Sequence, residues 1–378
     1  MSIPEPSHPY LSSLEPYEPP DLEKAASMAG VEVDHLIRLV ANENLFGPSP
    51  SVARALADFG QYQFHPEYGP LREAVARYAG VLPDQVVLSN GADEMIDLLI
   101  RLFVEPNEAI VACPPTFSMY RFYARVNRCR VLTAPRREDL SLDTEAIENA
   151  VVESNGKAKL LFIVSPGNPS GQAIPLEDVE RLLRLPLLVA VDEAYIEFGG
   201  ESAVALLPEH GNLVIIRTFS KWAGMAGLRL GYALLAPQLA GLLERVRPPY
   251  NINAAALVAA LATFDDLETV QANVATVIEE RERLMHTLRA ISWLDPLPSQ
   301  ANFILCRVKG RDAHTVANEL LRRGILIRHF SAPQTEDHAL ERYIRISVGR
   351  PQDNEALVGA LRDIGGYYVP QPETGTKQ

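Results

Sequence analysis

Residues 212–232 read NLVIIRTFSKWAGMAGLRLGY. The opening run of branched apolar residues fits a strand buried on both faces of a sheet. It delivers one lysine, Lys221, into a stretch of small residues and glycines, with Arg229 eight positions on. A lysine is ordinarily a solvated surface residue. This one stands directly after a buried strand, at the edge where open α/β sheets bind their ligands.

Working outward, the same pattern recurs on the N-terminal side. AIVACPP (109–115), RVLTAP (130–135), KLLFIVSPGNPSG (159–171) and PLLVAVDEAY (186–195) each join a short apolar run to a polar turn, and QVVLSNG (85–91) reads likewise. Helical spacing separates them, as in LREAVARYAGV (71–81) and ADEMIDLLIRLFV (92–104). Short apolar strands alternating with helices predict an α/β domain whose mostly parallel sheet is covered on both faces. From about residue 254 the pattern changes to a long helical run, 268–291, then ANFILCRV, the helical AHTVANELLRRG, ILIRHF, YIRISVG and a last helix in DNEALVGALRDIG. That predicts a smaller α+β domain. The division expected is an N-terminal arm with part of the small domain over 1–40, a large domain over 41–253, and a linking helix with the small domain over 254–378. The tail 367–378 is expected to fray.

Composition removes several classes of function. A net charge of −13 over 378 residues disfavours a nucleic-acid surface, which needs clustered Lys and Arg. The Pro-rich start has no apolar core of a signal peptide, and no apolar run reaches the roughly 18 residues of a membrane span. Cys113, Cys129 and Cys306 lie in apolar stretches, which suits buried thiols in a reducing cytoplasm. With no CxxC, no HExxH and no closely spaced histidine pair, a metal site has no support.

Polar residues collect where the strands end. SNGADE opens a helix with free backbone N–H groups at Gly91, Ala92 and Asp93, a setting that suits a phosphate. SPGNPSG puts Asn168 in a turn, and VDEAY sets Asp192 and Glu193 at a strand tip, where a carboxylate is partly enclosed and wants a positive partner. Each feature alone has a plain structural explanation as a turn, a helix start or a salt bridge. Together, on one sheet edge with Lys221 and Arg229, they match the needs of pyridoxal 5'-phosphate. Its aldehyde takes a lysine, its ring nitrogen an acid, and its phosphate a helix N-terminus with a cation.

The ordered set LEPYEPP, VANENLFGPSP, SNGADE, CPPTFSMY, SPGNPSG, VDEAYIEF, RTFSKWAGMAGLRLGY, PYNIN, SQANFILCRV and YIRISVG resembles the histidinol-phosphate aminotransferase family. That family lies in the fold-type I, aspartate-aminotransferase-like superfamily of pyridoxal-phosphate enzymes. The resemblance implies a seven-stranded, mostly parallel sheet and a homodimer with shared active sites. It also implies transfer of an amino group from L-histidinol phosphate to 2-oxoglutarate with ping-pong kinetics. Residue by residue, it implies Lys221 as the lysine that binds the cofactor and then moves a proton, Asp192 at the ring nitrogen, and Asn168 and Tyr195 at the ring hydroxyl. Phe117 corresponds to the aromatic stacked on the ring, and Ser220, Arg229 and the backbone at Gly91, Ala92 and Asp93 to the phosphate cup. Tyr17, Asn44, Arg328 and Arg345 correspond to the substrate site.

The match also departs from the family pattern. FHPEYGP places His65 where a tyrosine often reaches the neighbouring subunit, with Tyr68 three residues later, and both remain candidates. Leu45 replaces a usual proline, and the stretch between Arg328 and Arg345 is enlarged. Two other activities on the same scaffold therefore stay open: transamination of an aromatic or other amino acid, and decarboxylation as in the threonine-phosphate decarboxylases.

Overall fold

The computed structural model describes Leu14, residues 19–330 and residues 338–366. Tyr17, the 331–337 part of the enlarged stretch and the 367–378 tail lie outside the described residues.

The described strands, in chain order, are β1 (Ile37–Leu39), β2 (Val86–Ser89), β3 (Ala109–Ala112), β4 (Arg130–Thr133), β5 (Ala158–Val164), β6 (Leu188–Asp192), β7 (Leu213–Thr218), β8 (Gly231–Leu235), β9 (Leu294–Pro296), β10 (Phe303–Val308), β11 (Ile325–His329) and β12 (Tyr343–Ser347). Seven of them form one sheet in the order β2-β8-β7-β6-β5-β3-β4. The pairs β4–β3, β3–β5, β5–β6 and β6–β7 are parallel, and β8 runs antiparallel to both β7 and β2. The α/β class is as expected. β8 is the strand that the sequence reading leaves out, because GYALL follows the glycine-rich loop with no turn signal of its own.

Strand alternation divides the core in two. On β6, Val189 and Val191 face a cluster with Val52, Leu71, Ile147, Val179 and Ala256, whereas Leu188 and Ala190 face one with Met95, Tyr120 and Ala240. Helices therefore cover both faces, and β2, β3, β6, β7 and β8 are buried at every position. Each Val, Leu or Ile side chain among them contributes roughly 1.5–3 kcal/mol on burial, which outweighs the weak intrinsic preferences of such short strands.

The other five strands form a second sheet, ordered β1-β11-β12-β10-β9. β1, from the N-terminal part of the chain, pairs in parallel with β11 and buries Leu39 in a core with Ile304, Ile344, Ile346 and Leu357. The helices Leu267–Arg289, Ala313–Leu321 and Pro351–Gly366 supply the rest of that core. Leaving β1, the chain passes directly along residues 40–44 to the carboxyl edge of the large sheet.

Candidate active site

β6 places Asp192 at its last position, in register with Val164 of β5 and Ile216 of β7. The side chain is 4% exposed. One carboxylate oxygen accepts the Tyr120 hydroxyl at 2.6 Å and the other the Ala194 N–H at 3.0 Å. Burial pushes its pKa up to about 6 against those two hydrogen bonds, and the nearby Asp93 and Glu193 charges add to the rise. Its sequence neighbour Glu193 points to the opposite face and has the positive partner expected of a carboxylate there. It pairs with Arg217 at 2.9 Å and also accepts from Ser202 and the Ala203 N–H. Among the described residues no cation pairs with Asp192, so a buried carboxylate is held facing the site with only neutral donors.

Lys221 follows β7 in a loop that needs a close approach at Gly224. Gly224 has φ +67°, and a Cβ there would stand 2.4 Å from the Gly47 carbonyl carbon. Only glycine lets the lysine loop lie on the 47–48 backbone. The Lys221 amine donates to the Ala41 carbonyl at 3.0 Å and lies 6.0 Å from the centre of the Tyr195 ring. Burial lowers its pKa to about 8, helped by the positive charges of Arg345 and Arg229 and opposed by Glu43 and Asp93. At pH 7 roughly a tenth of the amine is therefore uncharged, far more than for an ordinary lysine, as a nucleophile or proton carrier requires.

The helix Gly91–Phe103 begins at the end of β2, and its N-cap residue Asn90 makes no side-chain cap. Gly91, at φ +75°, leaves room for the Arg229 guanidinium, whose Nη2 lies 2.7 Å from where a Cβ would stand. Arg229 also pairs with Asp93 at 2.9 Å. Ser220 is 6% exposed and receives the Thr218 hydroxyl at 2.9 Å. The uncapped helix start, the guanidinium and the serine together fit a phosphate group.

Tyr195 is buried, and its hydroxyl accepts from Asn42 Nδ2 at 3.0 Å and Asn168 Nδ2 at 3.4 Å. Asn168 Oδ1 in turn accepts from Arg345 Nη1 at 2.7 Å, and Arg345 Nη2 donates to the Val40 carbonyl at 2.9 Å. Arg345 and Arg328 are directly opposite in the β11–β12 register, and no carboxylate pairs with Arg328 among the described residues. Phe117 is partly buried with its ring edge-on to Tyr120 at 5.6 Å. Asn44 is turned to its own loop, donating to the Trp222 carbonyl at 3.1 Å and accepting the Phe46 N–H. A cleft of about 340 Å³ opens beside these groups, lined among others by Arg38, Glu43, Asn44, Ser220 and Gly224.

Two residues were missed in the sequence. Tyr120 lies within CPPTFSMY, and nothing local shows that it reaches a carboxylate 72 positions away. Asn42 lies in VANEN, and its partners are 153 and 305 positions on. His65 is exposed and stacks on Tyr250 at 4.0 Å, whereas Tyr68 accepts the Ile252 N–H of its own chain at 3.2 Å. The three cysteines are buried and unpaired. Among the described residues no cluster of His, Cys, Asp and Glu suits a metal ion, and no helix is long and apolar enough to cross a membrane.

This fold and this arrangement at its carboxyl edge define a class of group-transfer enzyme: residues 34–361 match the family model for aminotransferases of class I and II, and the chain belongs to that family. A histidinol-phosphate aminotransferase of Roseiflexus castenholzii is 43% identical over 94% of this chain and 97% of its own. A chloroplastic histidinol-phosphate aminotransferase of Nicotiana plumbaginifolia is 41% identical over 94% of this chain and 85% of its own. The crystal structure of the histidinol-phosphate aminotransferase from Sinorhizobium meliloti in complex with pyridoxal-5'-phosphate superposes with a TM-score of 0.86 at 28% identity. It covers 97% of this chain and 99% of its own. Within its class, the chain is a member of the histidinol-phosphate aminotransferase family.

Proposed function

We propose that this protein transfers the amino group of L-histidinol phosphate to 2-oxoglutarate, releasing imidazole acetol phosphate and L-glutamate, a step of histidine biosynthesis. The observation that carries the choice of donor is the cross-strand register of Arg328 and Arg345. Like charges directly opposite on a sheet repel unless an anion joins them. A phosphate monoester offsets two guanidinium charges where a carboxylate offsets one, and guanidinium forks bind its oxygens in pairs. The names of the relatives agree with that chemistry.

The site fits pyridoxal 5'-phosphate, which supplies a sink for the electron pair left when the donor's α C–H bond breaks. In this proposal Asp192 holds the ring nitrogen in its cationic form, consistent with a buried carboxylate that has no cation of its own. Gly91, Ala92 and Asp93 through their backbone, together with Ser220 and Arg229, hold the phosphate, and Phe117 covers the ring. Asn168 and Tyr195 face the ring oxygen. Lys221 would hold the cofactor at its aldehyde carbon and, displaced by the donor's amine, would carry the proton from the donor's α-carbon to that former aldehyde carbon. The Ala41 carbonyl is placed to hold its amine between those steps. Arg345 and Arg328 grip the substrate's anionic group, with Tyr17 and Asn44 assigned by resemblance.

We also propose a homodimer, supported by the exposed aromatic rings of Tyr62, Phe64 and Tyr250. The division into 1–40, 41–253 and 254–378 is proposed with it. Three buried thiols support a cytoplasmic setting.

A single-turnover absorbance titration tests the substrate. L-Histidinol phosphate is expected to convert the visible band of the holoenzyme far below the concentration at which L-glutamate or L-phenylalanine does. Conversion by a free amino acid alone overturns the proposed donor, as does release of carbon dioxide from L-threonine phosphate.

A further inference from the structure

Asn42 is 1% exposed and adopts φ 54°, a left-handed conformation that asparagine tolerates better than most residues. Every polar group it carries is engaged. Its N–H donates to Ser347 Oγ at 2.9 Å, its carbonyl accepts from Asn302 Nδ2 at 2.9 Å, and its Oδ1 accepts the Ser347 hydroxyl at 3.1 Å. Ser347 has a single hydrogen to give, and it gives it to Oδ1. The amide orientation is thereby fixed, and Nδ2 must face Tyr195, to whose oxygen it donates at 3.0 Å.

That polarity has a chemical consequence. The Tyr195 oxygen accepts from two amides, Asn42 and Asn168, so the hydroxyl hydrogen is directed away from both. Donors on an oxygen also polarise its own O–H bond and make it a better donor. Ser347 lies on β12 two residues beyond Arg345, so the substrate arginine and the group that orients Asn42 share one strand.

We propose that Asn42 is a positioning residue for the amino transfer: its amide, oriented by Ser347, holds the Tyr195 hydroxyl as a donor toward the ring oxygen of the cofactor. The proposal rests on the assignment of Tyr195 to the cofactor made above. A hydrogen bond from Tyr195 to that charged oxygen is worth roughly one to two pH units in the titration of the visible band. Removing one polarising partner takes about 10–30% of it.

The test is a visible pH titration of the holoenzyme, with cofactor dissociation constants measured alongside. Asn42→Gly keeps the backbone unstrained at this φ and removes only the amide. It is expected to move the midpoint upward by about 0.1–0.6 pH unit. Asn42→Asp replaces the donor with a carboxylate that draws the phenol hydrogen to itself. It is expected to move the midpoint at least twice as far and weaken cofactor binding about tenfold, the equivalent of one pH unit of lost interaction. Ser347→Ala, which frees the amide to turn over, is expected to shift the midpoint in the same direction as Asn42→Gly. In a Tyr195→Phe background neither Asn42 substitution should shift it further. A parental midpoint in Asn42→Gly, equal effects of Gly and Asp, or a shift that persists without the Tyr195 hydroxyl overturns the proposal. A parent protein with no visible band overturns the cofactor assignment itself, so the two failures are distinct.

Discussion

Asp192 makes the stability of the cofactor-free protein fall as pH rises. Its carboxyl has a pKa of about 6 in the fold against 3.8 for an ordinary aspartate. Between those values the folded state keeps a proton that the unfolded state has lost, so stability declines through that window and the full cost stands above pH 6. Two pH units correspond to roughly 3 kcal/mol. Asp192→Asn removes the charge but still buries an amide, so a net gain of about 1–2 kcal/mol is expected at pH 7.5. The gain should vanish at pH 4, where the parent's carboxyl is protonated in the fold and nearly half protonated in the unfolded chain, which leaves well under about 1 kcal/mol of the cost. The assay is urea unfolding of parent and variant apoproteins at fixed concentration across pH 4–8, with the difference in midpoint at unchanged slope as the readout. Taking the difference cancels the other groups that titrate there, Glu197 among them, whose pKa is also raised by burial. The same variant should bind the cofactor poorly. A variant no more stable than the parent at pH 7.5, or a difference that is the same at every pH, refutes the reasoning.

Lys221→Ala is expected to lose the visible band and at least about a thousandfold in turnover, and parental turnover would refute its role. Arg328→Met should raise KM for histidinol phosphate by about 10–100-fold while leaving that for glutamate within about twofold, which steady-state kinetics checks. Glu193→Ala leaves Arg217 buried without its partner and is expected to cost about 3–5 kcal/mol in urea unfolding; a loss below about 1 kcal/mol would show that the pair is not needed.

What was legible in the sequence, and what was not, follows the range of the interactions. Strand-end turns are local, so Gly91 was visible as a turn residue, and Asn168, Asp192 and Lys221 as polar residues, after apolar runs, and the large sheet followed from their repetition. β8 was hidden because an antiparallel return needs no crossover helix to announce it. β1 was hidden because three residues, Ile37–Leu39, carry no periodicity, and only pairing with β11, some 288 positions on, makes them a strand. Asn42 belongs with β1: its position is set by Asn302, just ahead of β10, and by Ser347 of β12, which a reading along the chain cannot bring together with residues near its start.

The neighbours Asp192 and Glu193 show how the strand tip divides its labour. Successive side chains point to opposite faces, so one carboxylate meets Tyr120 and the other Arg217. Glu193, paired and hydrogen-bonded on both oxygens, locks β6 to the 202–203 turn and to β7. Pairing Asp192 in the same way would remove its cost to the fold, but it would also neutralise the charge that a cationic ring needs. A charge left without a cation is tolerable there because its two donors are fixed: Ala194 by the backbone, and Tyr120 by stacking on Phe162 at 4.6 Å. The destabilisation expected at Asp192 is therefore a consequence of keeping that carboxylate available to its ligand, and binding the ligand is what should remove it.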